Sequence, residues 1–234
     1  MAIYAIADLH LSFEQNKPMN IFGDNWDHHT EKIKENWINK VKEDDCVILP
    51  GDFSWATYLE NTKCDFSYIN ELPGRKILLK GNHDYWWTTL TSMRNFLESN
   101  NFKNIDILNN NIYCIENKII VGTRGWNILD NENESKMIKR ENARLELSIK
   151  NGIEKYGKDK EMIAFFHYPP ITSNSVYKKE KNDFIETLER YNIKKCYYGH
   201  LHGKSHKDAV EGEIDGIKYK LISADYLNFD LVEI

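Results

Sequence analysis

Apolar positions along the chain follow two rhythms that alternate from end to end. Short unbroken apolar runs at residues 2–7, 46–49, 76–79, 162–166 and 195–198 read as buried strands, and the second and third stop at Pro50-Gly51 and Lys80-Gly81. Between them the period lengthens. Ile33, Trp37, Ile38 and Val41 share one face of a helix over 30–42, and further helices are predicted over 66–72 (closed by Pro73-Gly74), 88–97, 134–150 and 183–191. Residues 112–115 and 119–121, split by Glu116-Asn117-Lys118, predict a hairpin. A turn over 212–216 opens a closing set of strands that ends at 231–234. Alternation of this kind predicts an α/β fold with helices outside a sheet core. Without repeats, low-complexity tracts or a linker-like shift in composition, one domain over 1–234 is expected. The segment 11–27 is long for a strand-to-helix connection and carries Met19, Phe22 and Trp26, which marks it as a lid loop.

Composition narrows the classes. Hydrophobic residues at 41%, with 5 Pro and 12 Gly, exclude a disordered or collagen-like chain. The 31 Lys and Arg against 36 Asp and Glu leave a net charge of −5, so a protein that works by neutralising long nucleic acid is not expected. Cys46, Cys64, Cys114 and Cys196 form no C-x-x-C pair, which argues against both a zinc ribbon and a disulfide framework. No apolar run is long enough to cross a bilayer, and residues 1–7 are too short for a signal-peptide core, so no membrane association and a cytoplasmic location are expected.

The polar residues then sort themselves in an informative way. Asp8-Leu9-His10 follows the first strand, Gly51-Asp52 the second and Gly81-Asn82-His83-Asp84 the third, while His167-Tyr168-Pro169 and Gly199-His200-Leu201-His202 follow later ones. Ligands of open α/β sheets bind at the carboxyl ends of strands, and five of the eight histidines lie there. In an extended segment residues two apart point to one side, so Asp8 with His10 and His200 with His202 can each offer two ligands to one cavity. The glycines before Asp52, Asn82 and His200 let the backbone turn sharply. Carboxylate, imidazole and amide together suit a first-row transition metal, and an ion would relieve the repulsion among the carboxylates.

The ordered series D-x-H, GD, GNHD, H-x-P and GH-x-H, running from Asp8 to His202, resembles the calcineurin-like metallophosphoesterase superfamily, and in particular its small bacterial phosphohydrolases. The resemblance implies a four-layer α/β/β/α sandwich with two mixed sheets and two transition-metal ions, Mn, Fe or Zn. One ion would take Asp8, His10 and His202 and the other Asn82, His167 and His200, with Asp52 bridging. It further implies that a metal-activated hydroxide attacks phosphorus, with His83 as general acid and Asp84 orienting it. The stretch Gly51-Asp52-Phe53-Ser54-Trp55-Ala56-Thr57 lacks the DRG arginine of protein Ser/Thr phosphatases, and no capping domain or basic surface like that of the DNA-repair nucleases is evident. The expected activity is hydrolysis of small phosphate esters. A phosphodiesterase acting on cyclic nucleotides or other small diesters is the alternative, and a non-catalytic, metal-bound interaction scaffold the reading from another class.

Substrate contacts are sought nearby. Arg124, in Gly122-Thr123-Arg124-Gly125-Trp126, reads either as a guanidinium for substrate phosphate or as a surface ion pair. Trp55, Trp126 and Tyr168 adjoin the motifs and are candidate pocket walls, whereas Arg140 and Arg144 read as the solvated face of a polar helix.

Overall fold

The computed structural model describes residues 1–15, 17–128 and 132–234. The first half runs β1 (Ile3–Ala5), α1 (His29–Lys40), β2 (Cys46–Pro50), α2 (Lys63–Asn70), β3 (Arg75–Leu79), α3 (Leu90–Ser99) and β4 (Ile105–Ile107). The second runs β5 (Tyr113–Ile115), β6 (Lys118–Thr123), α4 (Glu132–Tyr156), β7 (Glu161–Phe166), α5 (Ser173–Lys178), α6 (Asp183–Arg190), β8 (Lys195–Tyr198), β9 (Gly212–Ile214), β10 (Ile217–Leu221) and β11 (Val232–Glu233).

Two mixed sheets result, in the orders β11-β1-β2-β3-β4 and β5-β6-β7-β8-β10-β9. Strands β1 to β4 are parallel, as are β6, β7, β8 and β10 among themselves, while β11, β5 and β9 pair antiparallel. Because successive side chains of a strand point to opposite faces, each central strand feeds two cores. Cys46 and Ile48 of β2, Ile77 and Leu79 of β3, and Ile163 and Phe165 of β7 meet in a layer between the sheets. Val47, Leu49 and Leu78 turn outward onto Ile33 and Trp37 of α1, Phe66 and Ile69 of α2, and Met93 and Leu97 of α3. On the far side Met162, Ala164, Phe166 and Tyr198 meet Leu145 and Ile149 of α4 and Phe184 and Leu188 of α6. This is the expected four-layer α/β/β/α sandwich.

Helix α2 begins three residues before its expected start, continuing a 3-10 turn over Leu59–Thr62, and stops at Asn70. Helix α4 runs on to Tyr156 through Gly152, which packs against Ile119 of β6 rather than ending the helix. Two elements had no expectation. β4 is only three residues long, and α5 buries no side chain, being held by the reciprocal capping of Thr172 and Ser175. The expected turn over 212–216 is narrower, since β9 begins at Gly212 and pairs with β10 across Asp215-Gly216.

The two sheets are stitched together at the carboxyl ends of their strands. Ala7 N donates to Ile222 O at 2.8 Å and Ala224 N to Ala7 O at 3.0 Å, joining the exit of β1 to the exit of β10. Among the described residues no helix is long and apolar enough to cross a membrane.

Candidate metal centre

At that seam the strand exits deliver the expected residues to one place. Asp8, His10 and His202 each offer a ligand atom within 4.8 Å of the others, and so do Asp52, His167 and His200. The groups are contiguous: Asp52 Oδ2 lies 3.8 Å from His10 Nε2 and 3.6 Å from His167 Nε2. Asn82 joins through its amide, with Oδ1 2.6 Å from His167 Nε2.

The way in which the chain brings them together differs from simple alternation. Asp8 (φ 61°) and His10 (φ 48°) both adopt the left-handed conformation, as do Asp52 (φ 49°) and His200 (φ 74°). Such a backbone costs a non-glycine residue on the order of 1 kcal/mol, and it clusters at functional sites. Here it twists the chain so that neighbouring residues face one cavity, where an extended segment had been expected. The glycines also divide by role. Gly51 does need its φ of 93°, but a Cβ on Gly199 would come within 2.5 Å of Asp8 Oδ2. At Gly199 the requirement is space for the carboxylate.

The donors are held ready. Asp8 Oδ2 accepts His200 N at 2.9 Å, whereas Oδ1 is buried without a hydrogen-bond partner and lies 3.4 Å from His167 Nδ1. Asp52 Oδ1 accepts His83 N at 2.8 Å, leaving Oδ2 toward the histidines. His202 is fixed by a residue that the sequence reading missed: Asp225 accepts from its Nδ1 at 2.8 Å and from Gly203 N at 3.0 Å. That bond leaves His202 Nε2 facing His10 Nε2 at 3.3 Å, and two imidazole nitrogens so placed need a cation or proton between them. Asp225 follows β10 at a strand exit, as the other site residues do. It escaped notice because the closing strands could not be told apart by pattern.

Burial dominates the electrostatics. It pushes Asp8 up to about 8, with the Asp52 carboxylate adding to the effect, and raises Asp52 as well. It also lowers His10 and His167 well below the usual imidazole range and takes His200 down to about 3. His202 goes the other way: burial opposes its charge, but the Asp225 hydrogen bond and the Asp8 carboxylate raise it to about 9. Neutral imidazoles beside carboxylates reluctant to ionise are a donor set that bound cations would satisfy. The residues therefore fit a metal pair.

His83 sits at the edge, half-buried, with its ring 4.5 Å from that of Trp55 and 5.9 Å from that of His10. The expectation that Asp84 orients it is corrected. The Asp84 carboxylate is fully buried and accepts from Phe53 N (2.9 Å), Ser54 N (3.3 Å), Gly81 N (2.7 Å) and Trp86 Nε1 (2.9 Å), but not from the His83 ring, whose Nδ1 has no partner. Asp84 ties the loop after β3 to the loop after β2. Burial lowers the His83 pKa, and the nearby carboxylate that favours its charged form is that of Asp52.

Trp55 stacks on His10, with centroids 4.8 Å apart, and helps to line a cleft of about 380 Å³ with Met19, Phe22, Trp26, His83 and Lys204. Segment 11–27 thus supplies three walls of this cleft. Trp126 and Tyr168 do not line it. They pack together at 6.1 Å, and the Tyr168 ring lies 4.2 Å from that of His200. Arg124 faces a separate cavity, in which Arg144 of α4 is half-buried rather than solvated and Arg140 is exposed.

Residues 1–204 match the family model of the calcineurin-like phosphoesterases. A stretch of 78 residues is 30% identical to the gene 66 protein of Mycobacterium phage L5, covering 33% of this chain and 37% of that relative's length. Among solved structures, phosphopantetheinyl hydrolase from Mycobacterium tuberculosis superposes with a TM-score of 0.58 at 13% identity, covering 100% of this chain and 95% of that one. A protein of unknown function from Aquifex aeolicus gives a TM-score of 0.51 at 18% identity, over 99% and 95% of the two chains. At these identities the structural likeness speaks for the fold.

Proposed function

The chain belongs to the calcineurin-like phosphoesterase family, and on that premise we propose that it hydrolyses small phosphate esters at a dinuclear centre. The observation that carries this reading is the convergence of Asp8, His10 and His202 with Asp52, His167 and His200 around buried, unpartnered donor atoms. Asp8, His10 and His202 would hold one ion, and His167, His200 and Asn82 the other. Asp52, whose Oδ2 faces both groups, would be shared. Imidazole and carboxylate donors suit Mn, Fe or Zn. When bound, such ions polarise phosphoryl oxygens and make a water acidic enough to attack near neutral pH.

The remaining chemistry falls to the chain. His83 lines the aromatic cleft, so its ring is available to give a proton to the oxygen that leaves phosphorus. Its backbone N–H is held by Asp52, which anchors the residue beside the proposed metal ligands. Met19, Phe22, Trp26 and Trp55 give the cleft an apolar, ring-lined wall for the leaving group, and segment 11–27 acts as its lid. In this reading residues 1–234 work as one domain on a small phosphorylated substrate. The four free cysteines are in keeping with a reducing cytoplasm.

The test is His83→Ala. The variant keeps two ions per chain by elemental analysis and loses about 10²- to 10⁴-fold in kcat on an alkyl phosphate, with far less loss on p-nitrophenyl phosphate, whose leaving group needs no proton. Equal losses on both would count against the general-acid role. Turnover confined to bis-p-nitrophenyl phosphate or 2′,3′-cyclic nucleotides would select the diesterase. Metal bound with no turnover on a broad ester panel would select the scaffold.

A further inference from the structure

A second cavity, of about 230 Å³, is lined by Lys80 after β3, Thr88 before α3, Arg124 after β6, and Arg140, Glu141 and Arg144 of α4. Four cationic side chains converge there on one carboxylate, and that carboxylate is engaged. Buried Glu141 accepts from the Thr123 hydroxyl at 2.7 Å and from Arg144 Nη1 at 2.8 Å. Among the described residues Lys80, Arg124 and Arg140 form no salt bridge. Arg124 stacks its guanidinium on Trp126 at 4.5 Å, and its Nε is buried without a hydrogen-bond partner. Burial disfavours its charge, the Glu141 carboxylate and the Tyr168 hydroxyl favour it, and the cations of Arg144 and Arg140 again oppose it. Like charges gathered in a partly buried cavity create a strongly positive potential, which an anion relieves. Guanidinium, ammonium and hydroxyl donors without an imidazole make this a place for phosphate and not for a metal.

The cavity is also coupled to the metal centre. Lys80 stands two residues before Asn82 on the same strand exit. The Arg124 carbonyl accepts Tyr168 N at 2.9 Å, directly after His167, and the Tyr168 ring covers His200. We propose that the Lys80–Arg124–Arg140–Arg144 cavity binds a second phosphoryl group of the substrate. The substrate class is then a small molecule bearing two phosphates, one hydrolysed at the centre and the other held by α4 and the exits of β3 and β6.

This assignment rests on the hydrolase reading for its substrate but not for its site, so the experiment has two arms. Arg140 is the residue to change, because it is exposed and its loss leaves Glu141 paired with Arg144. In the first arm inorganic pyrophosphate is titrated calorimetrically into the purified protein, Arg140→Gln and Arg140→Glu. Expected is a saturable site that weakens about tenfold in Arg140→Gln, more in Arg140→Glu, and further with added salt. No saturable binding in the wild type, or the same affinity in all three proteins (as binding at the metals alone would give), overturns the proposal. The second arm compares kcat/KM for adenosine 3′,5′-bisphosphate with that for adenosine 5′-monophosphate. The ratio should fall about tenfold in Arg140→Gln and be restored in Arg140→Lys. A ratio indifferent to residue 140 overturns the substrate class. If no ester is turned over at all, the hydrolase reading fails while the first arm still decides the site.

Discussion

Two buried aspartates beside the centre have opposite jobs, and their hydrogen bonds tell them apart. Asp225 reaches the proposed metal ligands through His202. Asp225→Asn should weaken metal binding about 10- to 100-fold, measured by competition with a chromogenic chelator, because the amide no longer enforces the tautomer that leaves Nε2 free. Asp84 reaches only the frame. Asp84→Asn should cost about 1–3 kcal/mol in urea denaturation, since the new amide NH₂ replaces an acceptor in a fully buried set of donors. At this scale the sequence was most legible where residue type and position coincide. Asp8, Asp52, Asn82, His167 and His200 stand directly after apolar strands, and the eye finds them there. The role of Asp84 was misread, because adjacency to His83 in the chain says nothing about which way a buried carboxylate turns.

Among the elements, strands buried on both faces left continuous apolar runs and helices packed on one face left an apolar stripe, so both could be read. Strand β4, with its Ile-Asp-Ile run, and helix α5, without an apolar stripe, left no such trace. The loop over 11–27 shows what pattern alone conceals. Phe13 N donates to Asp65 Oδ1 at 3.0 Å, Ser54 Oγ bonds the other oxygen of Asp65, and Trp55 Nε1 donates to Met19 Sδ at 3.1 Å. Asp65, on α2, therefore moors the start of the loop to the exit of β2. Asp65→Ala should speed amide exchange at Phe13 by an order of magnitude or more, and lower stability by about 1–3 kcal/mol, as read by hydrogen exchange and denaturation.

For the whole molecule, two charge effects stand out. Lys76 is buried in the outer layer of the first sheet, with its ammonium on the Leu72 carbonyl and 6.0 Å from the Trp37 ring, and burial lowers its pKa to about 8. The folded chain therefore gives up this proton more readily than the unfolded chain, so Lys76 contributes a rise in stability between pH 8 and the usual lysine range near 10.5, against the opposite contribution of the buried Cys46 and Cys196 thiols, which burial pushes up. Lys76→Met should abolish that rise and add on the order of 1 kcal/mol at pH 7. The centre behaves in the opposite sense. Asp8 and Asp52 are held together at a cost that the proposed cations would offset, so chelation should lower the melting temperature and readdition of Mn²⁺ should restore it.

The seam between the sheets has one more implication. Asp8, His10, Asp52 and Asn82 come from the first sheet, and His167, His200 and His202 from the second. A polypeptide cleaved after Arg124 would leave each fragment with an incomplete set of donors, while strand β11 of the later fragment belongs in the earlier one's sheet. Neither piece could capture a pair of ions alone, and their reunion would be announced by uptake of metal from solution.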